Sequence, residues 1–346
     1  MLTSRDRVAI LLHDGLQHSG GKTGISLLRY SDIPIVAVID QESTGKSLFE
    51  LTGIDRDVPI VASVMDALAY SPTVLSIGIA PSGGILPDAW QQEIKQGVAA
   101  GLSVVNGLHT SMATDPSFSS LLREGQWIWD VRREPLGLTV GSAKARSLSC
   151  LRVLTVGTDM SVGKMSASLE LNRAAQKRGW RSRFIATGQT GLMLGHDGVA
   201  LDAVRVDFAA GAVEQLVMRY GPDYDILFVE GQGSLMNPAS TATLPLLRGT
   251  QPTHLVLVHR AGQTQIQSFS HISIPPLQKV IQVYETVTEA GGSFAPAKVA
   301  AIALNTFHLS EADAHQAIEQ VQIETGLPCT DVIRFDADPL LDALLQ

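Results

Sequence analysis

Cysteine is scarce in this chain of 346 residues: Cys150 and Cys329 are the only two. Two thiols build no disulfide framework, and no Cys/His cluster has the spacing of a zinc site. Positive charge is in deficit, with 26 Lys plus Arg against 34 Asp plus Glu and a net charge of −8. That balance argues against a nucleic-acid or anionic-membrane footprint. Long apolar runs are missing too. The first apolar run, inside MLTSRDRVAILLHDG, has charge on both sides and is far too short for a signal-peptide core or a bilayer span. The expectation is a cytoplasmic protein with a small-molecule substrate, no nucleic-acid or membrane partner and, on base rates, a homo-oligomeric state.

What is plentiful is small and aliphatic. Apolar residues make up 45%, glycine contributes 31 positions and aromatics only 5%, a mix suited to close helix–sheet packing. At roughly 150 residues per domain the length gives two domains. Short apolar runs alternate with helical patterns, the signature of parallel α/β sheets with helices on both faces. In the first part the strand candidates are Val8–Leu12, Ile35–Ile39, Ile60–Ala62, Val74–Ile79, Ser103–Val105 and Ile128–Val131, with a clear helix at Pro87–Ala100. Glu134–Ser149 is small and polar without periodicity and reads as a linker, which gives a Rossmann-like domain over 1–140 and a second domain over 150–346. The second begins with strand Arg152–Val156 and helix Lys164–Arg178. Strands at Arg183–Ala186, Ile226–Val229, His254–His259 and Ala300–Leu304 follow, with helices at Ala210–Arg219, Pro276–Glu289 and Glu311–Thr325.

The sharpest motif is the run from Leu154 through Gly157-Thr158-Asp159-Met160-Ser161-Val162-Gly163-Lys164-Met165-Ser166. An apolar strand enters a glycine-bounded loop, then Gly-Lys, then a helix. Successive backbone N–H groups there can surround a phosphate, with the lysine ammonium closing over it. The glycine spacing is one residue longer than in the common phosphate loop. Asp225–Gly233 supplies the companion, an apolar strand ending in Glu230 and glycines, as expected beside a phosphate loop in a doubly wound sheet. Two weaker strings, Gly15–Thr23 with Lys22 and Thr23, and Ser43–Ser47 with Lys46, are anion-binding candidates or ordinary turns.

The second domain resembles dethiobiotin synthetase and its relatives. GTDMSVGKMSAS (157–168) is similar to that family's phosphate loop, VEGQGSL (229–235) to its strand end, and Ala303-Leu304-Asn305 to its adenine-side asparagine. Two departures stand out. Met165 occupies the position of the Mg²⁺-binding threonine, and Ala186–Gly191, ATGQTG, replaces a Lys-Pro. Ser166 cannot substitute, because one helix step turns a side chain by about 100°. The first domain resembles the CoA-binding Rossmann domain of succinyl-CoA synthetases, through VPIVASVMDAL (58–68), VLSIGIAPSGG (74–84) and AAGLSVVNGLH (99–109). Both halves in order resemble the D-glutamate N-acetyltransferases, through IGIAPSGGILPDAW, VNGLH, WDVRREP, GTDMSVGKMSASLEL, TGQTG, DFAAGAVE and VEGQGSL.

The resemblance implies acetyl transfer from acetyl-CoA to the amine of D-glutamate. CoA carries a pyrophosphate and a 3′-phosphate, so a phosphate loop without its magnesium hydroxyl can hold it without hydrolysis. Acyl transfer to an amine needs a base, a donor to the thioester oxygen and cations for the carboxylates. The base candidates are His109, otherwise a satisfied loop histidine, and Glu230. Ser82-Gly83-Gly84 or Gly188–Gly191, with Gln189, offer backbone N–H groups, and Arg260 or Arg132–Arg133 offer cations. Should Mg²⁺ bind with ATP, Asp207 with Glu230 is the pair to test, although Asp207 reads equally as a helix N-cap. Ala261–Pro275 is polar, long and nearly structureless in pattern, as lids often are. An ATP-dependent ligase and a non-enzymatic nucleotide or CoA sensor stay open beside the transferase.

Overall fold

The computed structural model describes residues 2–17, 19–80 and 86–346. Two six-stranded sheets carry the fold, both wholly parallel, and contacts divide the chain into two units.

Unit 1 comprises Met1–Arg133 and Gln189–His196. Its strands are β1 (Val8–Leu11), β2 (Ile35–Ile39), β3 (Ile60–Val61), β4 (Val74–Ile77), β5 (Ser103–Asn106) and β6 (Ile128–Asp130), in the order β3-β2-β1-β4-β5-β6. Helices α1 (Lys22–Tyr30), α2 (Leu48–Thr52), α3 (Val64–Ala67), α4 (Asp88–Ala99) and α5 (Pro116–Ser119) connect them. The strands are apolar without alternation because both sheet faces are covered. Ile10, Leu11, Val38 and Leu75 are fully buried, and Leu28, Ile94 and Val98 of the helices pack into the same core. Where α1 crosses the sheet, a Cβ on Gly24 would lie 2.5 Å from Leu12 Cδ1 and one on Gly78 2.9 Å from Gly24 Cα, so only glycines permit that approach.

Unit 2 comprises Glu134–Gly188 and Asp197–Gln346. Its sheet strands are β7 (Leu151–Gly157), β8 (Ser182–Ile185), β9 (Ile226–Val229), β10 (His254–Arg260), β13 (Lys298–Asn305) and β14 (Cys329–Thr330), in the order β14-β13-β10-β7-β9-β8. Its helices are α6 (Lys164–Lys177), α8 (Val206–Tyr220), α9 (Thr243–Thr250), α10 (Leu277–Glu289), α11 (Glu311–Thr325) and α12 (Asp338–Leu345); α7 (Gln189–Met193) follows β8 in the chain but falls in unit 1. Side chains alternate across the central strands. Val153, Phe228 and Val256 meet α6 and α12, while Leu154, Leu227 and Leu257 meet α8, α10 and α11. Both faces are therefore roofed by helices.

Two sequence expectations are corrected. The stretch 134–149 is not a free linker but part of unit 2. Glu214, buried in α8, accepts from the backbone N–H groups of Ser142 and Lys144, both at 2.5 Å, and Glu134 pairs with Arg205 at 2.6 Å. Nor is the polar stretch 261–275 structureless: β11 (Gln265–Ile266) and β12 (Phe269–Ser273) form an antiparallel hairpin. Only Ile266 of these strand residues is fully buried, so no apolar alternation betrays it. A third feature had no sequence signal. Helix α7 belongs with unit 1, where Met193 joins the core and Thr190 Oγ1 lies 3.2 Å from Thr23 Oγ1. Among the described residues no helix is long and apolar enough to cross a membrane.

Candidate functional site

The site in unit 2 gathers at the carboxyl ends of β7, β9, β10 and β13. Strand β7 ends at Gly157, and the loop turns through Ser161 (φ 59°) and Gly163 (φ 117°) into α6. No side chain caps α6, so its first-turn N–H groups present the donor set and positive dipole end that favour an anion. Lys164 Nζ donates to Asp159 O at 2.8 Å, folded back along its own loop. Glycines make room for it: a Cβ on Gly157 would come within 2.9 Å of the ammonium, and one on Gly231 within 3.0 Å of Lys164 Cδ. Met165 and Ser166 are half-buried on the first turn, and the hydroxyl inside the fold is Ser168, 2.9 Å from Thr155 Oγ1. Thr155 also accepts from Gly231 N at 2.9 Å, which locks the β9 end to the phosphate-loop strand.

Glu230 follows β9 and is buried. Its Oε2 accepts from the N–H groups of Thr187 and Gly188, at 2.9 and 3.1 Å, and Gln232 Nε2 donates to Oε1 at 3.1 Å. Burial raises this carboxyl to about 7, against the opposing pull of the Thr187 and Gly188 N–H groups and of the Lys164 charge. The Gly188 N–H is thereby engaged by Glu230 and is not a donor to a thioester, which corrects that expectation for Gly188.

Asp159, 1% exposed, organises the loop. Its Oδ1 accepts from Met160 N and Asn237 Nδ2, and its Oδ2 from Gln263 Nε2 and Gln267 N, all between 2.7 and 2.8 Å. Burial pushes the carboxyl up, but the Gln267 N–H, the Asn237 amide, the Met160 N–H and the Gln263 amide together hold it below the ordinary carboxylate range. A depressed carboxyl stabilises the fold above the unfolded-state range, and that contribution is lost as pH falls. Asp159→Asn should therefore lower stability at neutral pH by about 1–3 kcal/mol and flatten its decline toward acid. Urea titrations between about pH 7 and pH 3 check both.

Arg260 and Asn305, register partners on β10 and β13, brace the same loop. Arg260 Nη2 donates to Ser161 O at 3.1 Å and Asn305 Nδ2 to Val162 O at 2.9 Å. Thr158 Oγ1 lies 2.9 Å from His259 Nδ1, and burial takes that imidazole down to about 4. Tyr284, buried, donates to Gly157 O at 2.7 Å and accepts from Leu235 N. Beside the loop lies a cavity of about 310 Å³ whose polar walls are Asp202, Gln232, Ser240 and Thr241, with Met160 of the loop among the apolar ones.

The other residues singled out from sequence lie elsewhere. Asp207 is exposed in the first turn of α8, whose N-cap is Arg205; Glu230 is buried with both oxygens accepting hydrogen bonds. Among the described residues no three His, Cys, Asp or Glu side chains form a metal-binding group. In unit 1, Lys22 and Thr23 open α1, and Gln189 opens α7 beside Gly107. His109 is exposed in the loop after β5, its ring held below its ordinary value of 6.5 by burial and by Arg132. Arg132 is turned inward onto Gly107 O at 2.7 Å. Ser82, Gly83 and Gly84 fall outside the described residues. Asn237 and Tyr284 carried no sequence signal as site residues, since each reaches the loop from a distant segment, whereas Gln263 and Gln267 lie in the stretch 261–275 that reads as lid-like, with neither glutamine singled out there.

A glycine-bounded loop with a lysine on a parallel sheet defines a P-loop domain, here preceded by a Rossmann-like one. Residues 139–341 match the P-loop domain of the DUF1611 family and residues 41–134 its Rossmann-like N-terminal domain, both described as domains of unknown function. This chain belongs to the DUF1611 family. A D-glutamate N-acetyltransferase of Tritonibacter scottomollicae is 34% identical over 282 residues, 81% of this chain and 83% of that protein. One from Pseudoalteromonas sp is 32% identical over 286 residues, with the same coverage. A crystal structure of a DUF1611 family protein from Anabaena variabilis shares 64% identity at a TM-score of 0.97, covering 99% of this chain and all of that one.

Proposed function

We propose that this chain is an N-acetyltransferase that moves acetyl from acetyl-CoA to the amine of an acidic amino acid, D-glutamate. The curated relatives' names support the reaction class. The observation that carries the reading is a phosphate loop whose lysine lies beside a buried carboxyl with a proton affinity near neutrality. The loop and Lys164 hold the donor's phosphates. The adjacent cavity has one charged wall residue, Asp202, with the amide of Gln232 and the hydroxyls of Ser240 and Thr241. Such a lining suits the uncharged, amide-bearing pantetheine arm better than a dicarboxylate. Gln232 links this cavity to Glu230.

Glu230 takes a proton from the acceptor's ammonium, directly or through one water. The freed amine attacks the thioester carbonyl carbon, the new C–N bond forms and the C–S bond breaks. Forming the amide sheds a second proton from the same nitrogen; that proton neutralises the departing CoA thiolate, and the first leaves Glu230 for solvent. No nucleotide is hydrolysed in this sequence, and Met165 leaves no hydroxyl at the position where an ATP-using relative would hold Mg²⁺.

Thiol release from acetyl-CoA, measured with D-glutamate, L-glutamate or no acceptor and with or without MgATP, tests it. The expected result is release that requires D-glutamate and ignores MgATP. Nucleotide consumption without thiol release would overturn the reading in favour of a ligase.

A further inference from the structure

The residues around the end of β13 hold a feature that the chemistry above does not use. Phe307, two residues past Asn305, is 70% exposed, the most exposed large aromatic side chain among the described residues. An exposed phenyl ring on a mobile loop would need no explanation, but this loop is pinned. The buried Asp331 accepts from Thr306 N and Thr306 Oγ1, at 2.8 and 2.6 Å. Arg334 donates to the carbonyls of Thr306 and Leu309, both at 2.9 Å, and Leu309 N returns to Thr306 O. Phe307 N itself donates to Asn305 Oδ1. The ring is thus held in water by a rigid turn.

Its neighbours belong to the phosphate loop. Asn305 bonds Val162 O with one end of its amide and Phe307 N with the other, so both ends are engaged by backbone. Arg260 lies with its guanidinium 5.7 Å from the Phe307 ring centroid while donating to Ser161 O, and its Nε is buried with no hydrogen-bond partner among the described residues. One side of the ring meets that cation, His308 meets its edge, and the rest is open. A rigid aromatic face next to a phosphate cradle and an arginine matches a planar base joined to phosphates.

We infer that Phe307 is the platform on which the base of an adenine nucleotide stacks. Asn305 does not read the base; it holds the platform and the loop in register. Adenine could be presented by CoA or by ADP or ATP. The identification with CoA rests on the proposed acetyl transfer, whereas the stacking does not.

Calorimetric binding of four probes to wild type, Phe307→Ala and Phe307→Trp separates the two. The probes are CoA, adenosine 3′,5′-bisphosphate, ADP and 4′-phosphopantetheine, which lacks the base. Phe307→Ala should weaken each adenine probe that wild type binds by about 5- to 100-fold, leave 4′-phosphopantetheine within about twofold, and be rescued by Phe307→Trp. Preference for CoA and the bisphosphate over ADP assigns the platform to CoA. Wild type that binds ADP but not CoA defeats the transferase reading while Phe307→Ala still tests the stack. Equal affinities in wild type and Phe307→Ala, equal weakening of 4′-phosphopantetheine, or no adenine binding by wild type would each overturn the inference. The ring is exposed, so both variants are expected to fold, and thermal melting checks it.

Discussion

Replacing Glu230 with glutamine is expected to lower kcat/KM about 10²- to 10⁴-fold, the usual contribution of a general base, while making the protein more stable above neutral pH. In wild type the carboxyl rises to about 7, so kcat/KM should climb about tenfold per pH unit below that value and level off above it. The glutamine variant should lose this limb. Stability moves the other way. With a folded value above the ordinary 4.5, the folded state binds an extra proton between 4.5 and about 7. The stabilisation from that proton is full below the window and is lost as pH rises through about 7. Glutamine keeps an oxygen for the N–H groups of Thr187 and Gly188 without burying a charge, and above the window it should gain on the order of 3 kcal/mol. Thiol-release kinetics across pH, with thermal melts of both proteins, check the pair of effects. A limb below 6.5 that survives in Glu230→Gln would transfer the role to His109, whose ring is held below that value.

The parts of this site legible in the sequence are those whose partners are near in the chain. Gly157–Lys164 was readable because strand, loop, lysine and helix follow one another, and Glu230 because it ends an apolar strand. Its elevated proton affinity was not readable, since it comes from burial under segments placed by the fold. Asp159 was visible only as a loop residue. Its partners Asn237, Gln263 and Gln267 are 78, 104 and 108 residues away, and no local pattern marks such pairings. The hairpin β11–β12 escaped for another reason: a polar ribbon with little buried surface has no period-two apolar signal to show. Asn305 illustrates the reverse limit. Its position was expected from a resemblance, yet its amide is engaged at both ends by backbone.

On the proposed reading, Lys164→Ala is expected to lower kcat/KM for acetyl-CoA about 10²- to 10³-fold, chiefly through KM, because the charge-assisted hydrogen bonds proposed between the lysine and the donor's phosphates are lost. Arginine should fail to replace it despite its charge. The lysine runs in a channel bounded by Gly157 and Gly231, where even one added Cβ would come within about 3 Å of the side chain, and a guanidinium is broader than an ammonium. The donor's KM should also become less sensitive to ionic strength in Lys164→Ala. A purely structural lysine would give none of these signatures, but neither would they tie the lysine to the chemistry. The pH profile does. The Lys164 charge pulls the Glu230 carboxyl down against its burial, so removing that charge must raise the kinetic limb above about 7 at saturating donor. A limb that stays where it is in wild type would mean that Glu230 is not the titrating base, whatever Lys164→Ala does to binding.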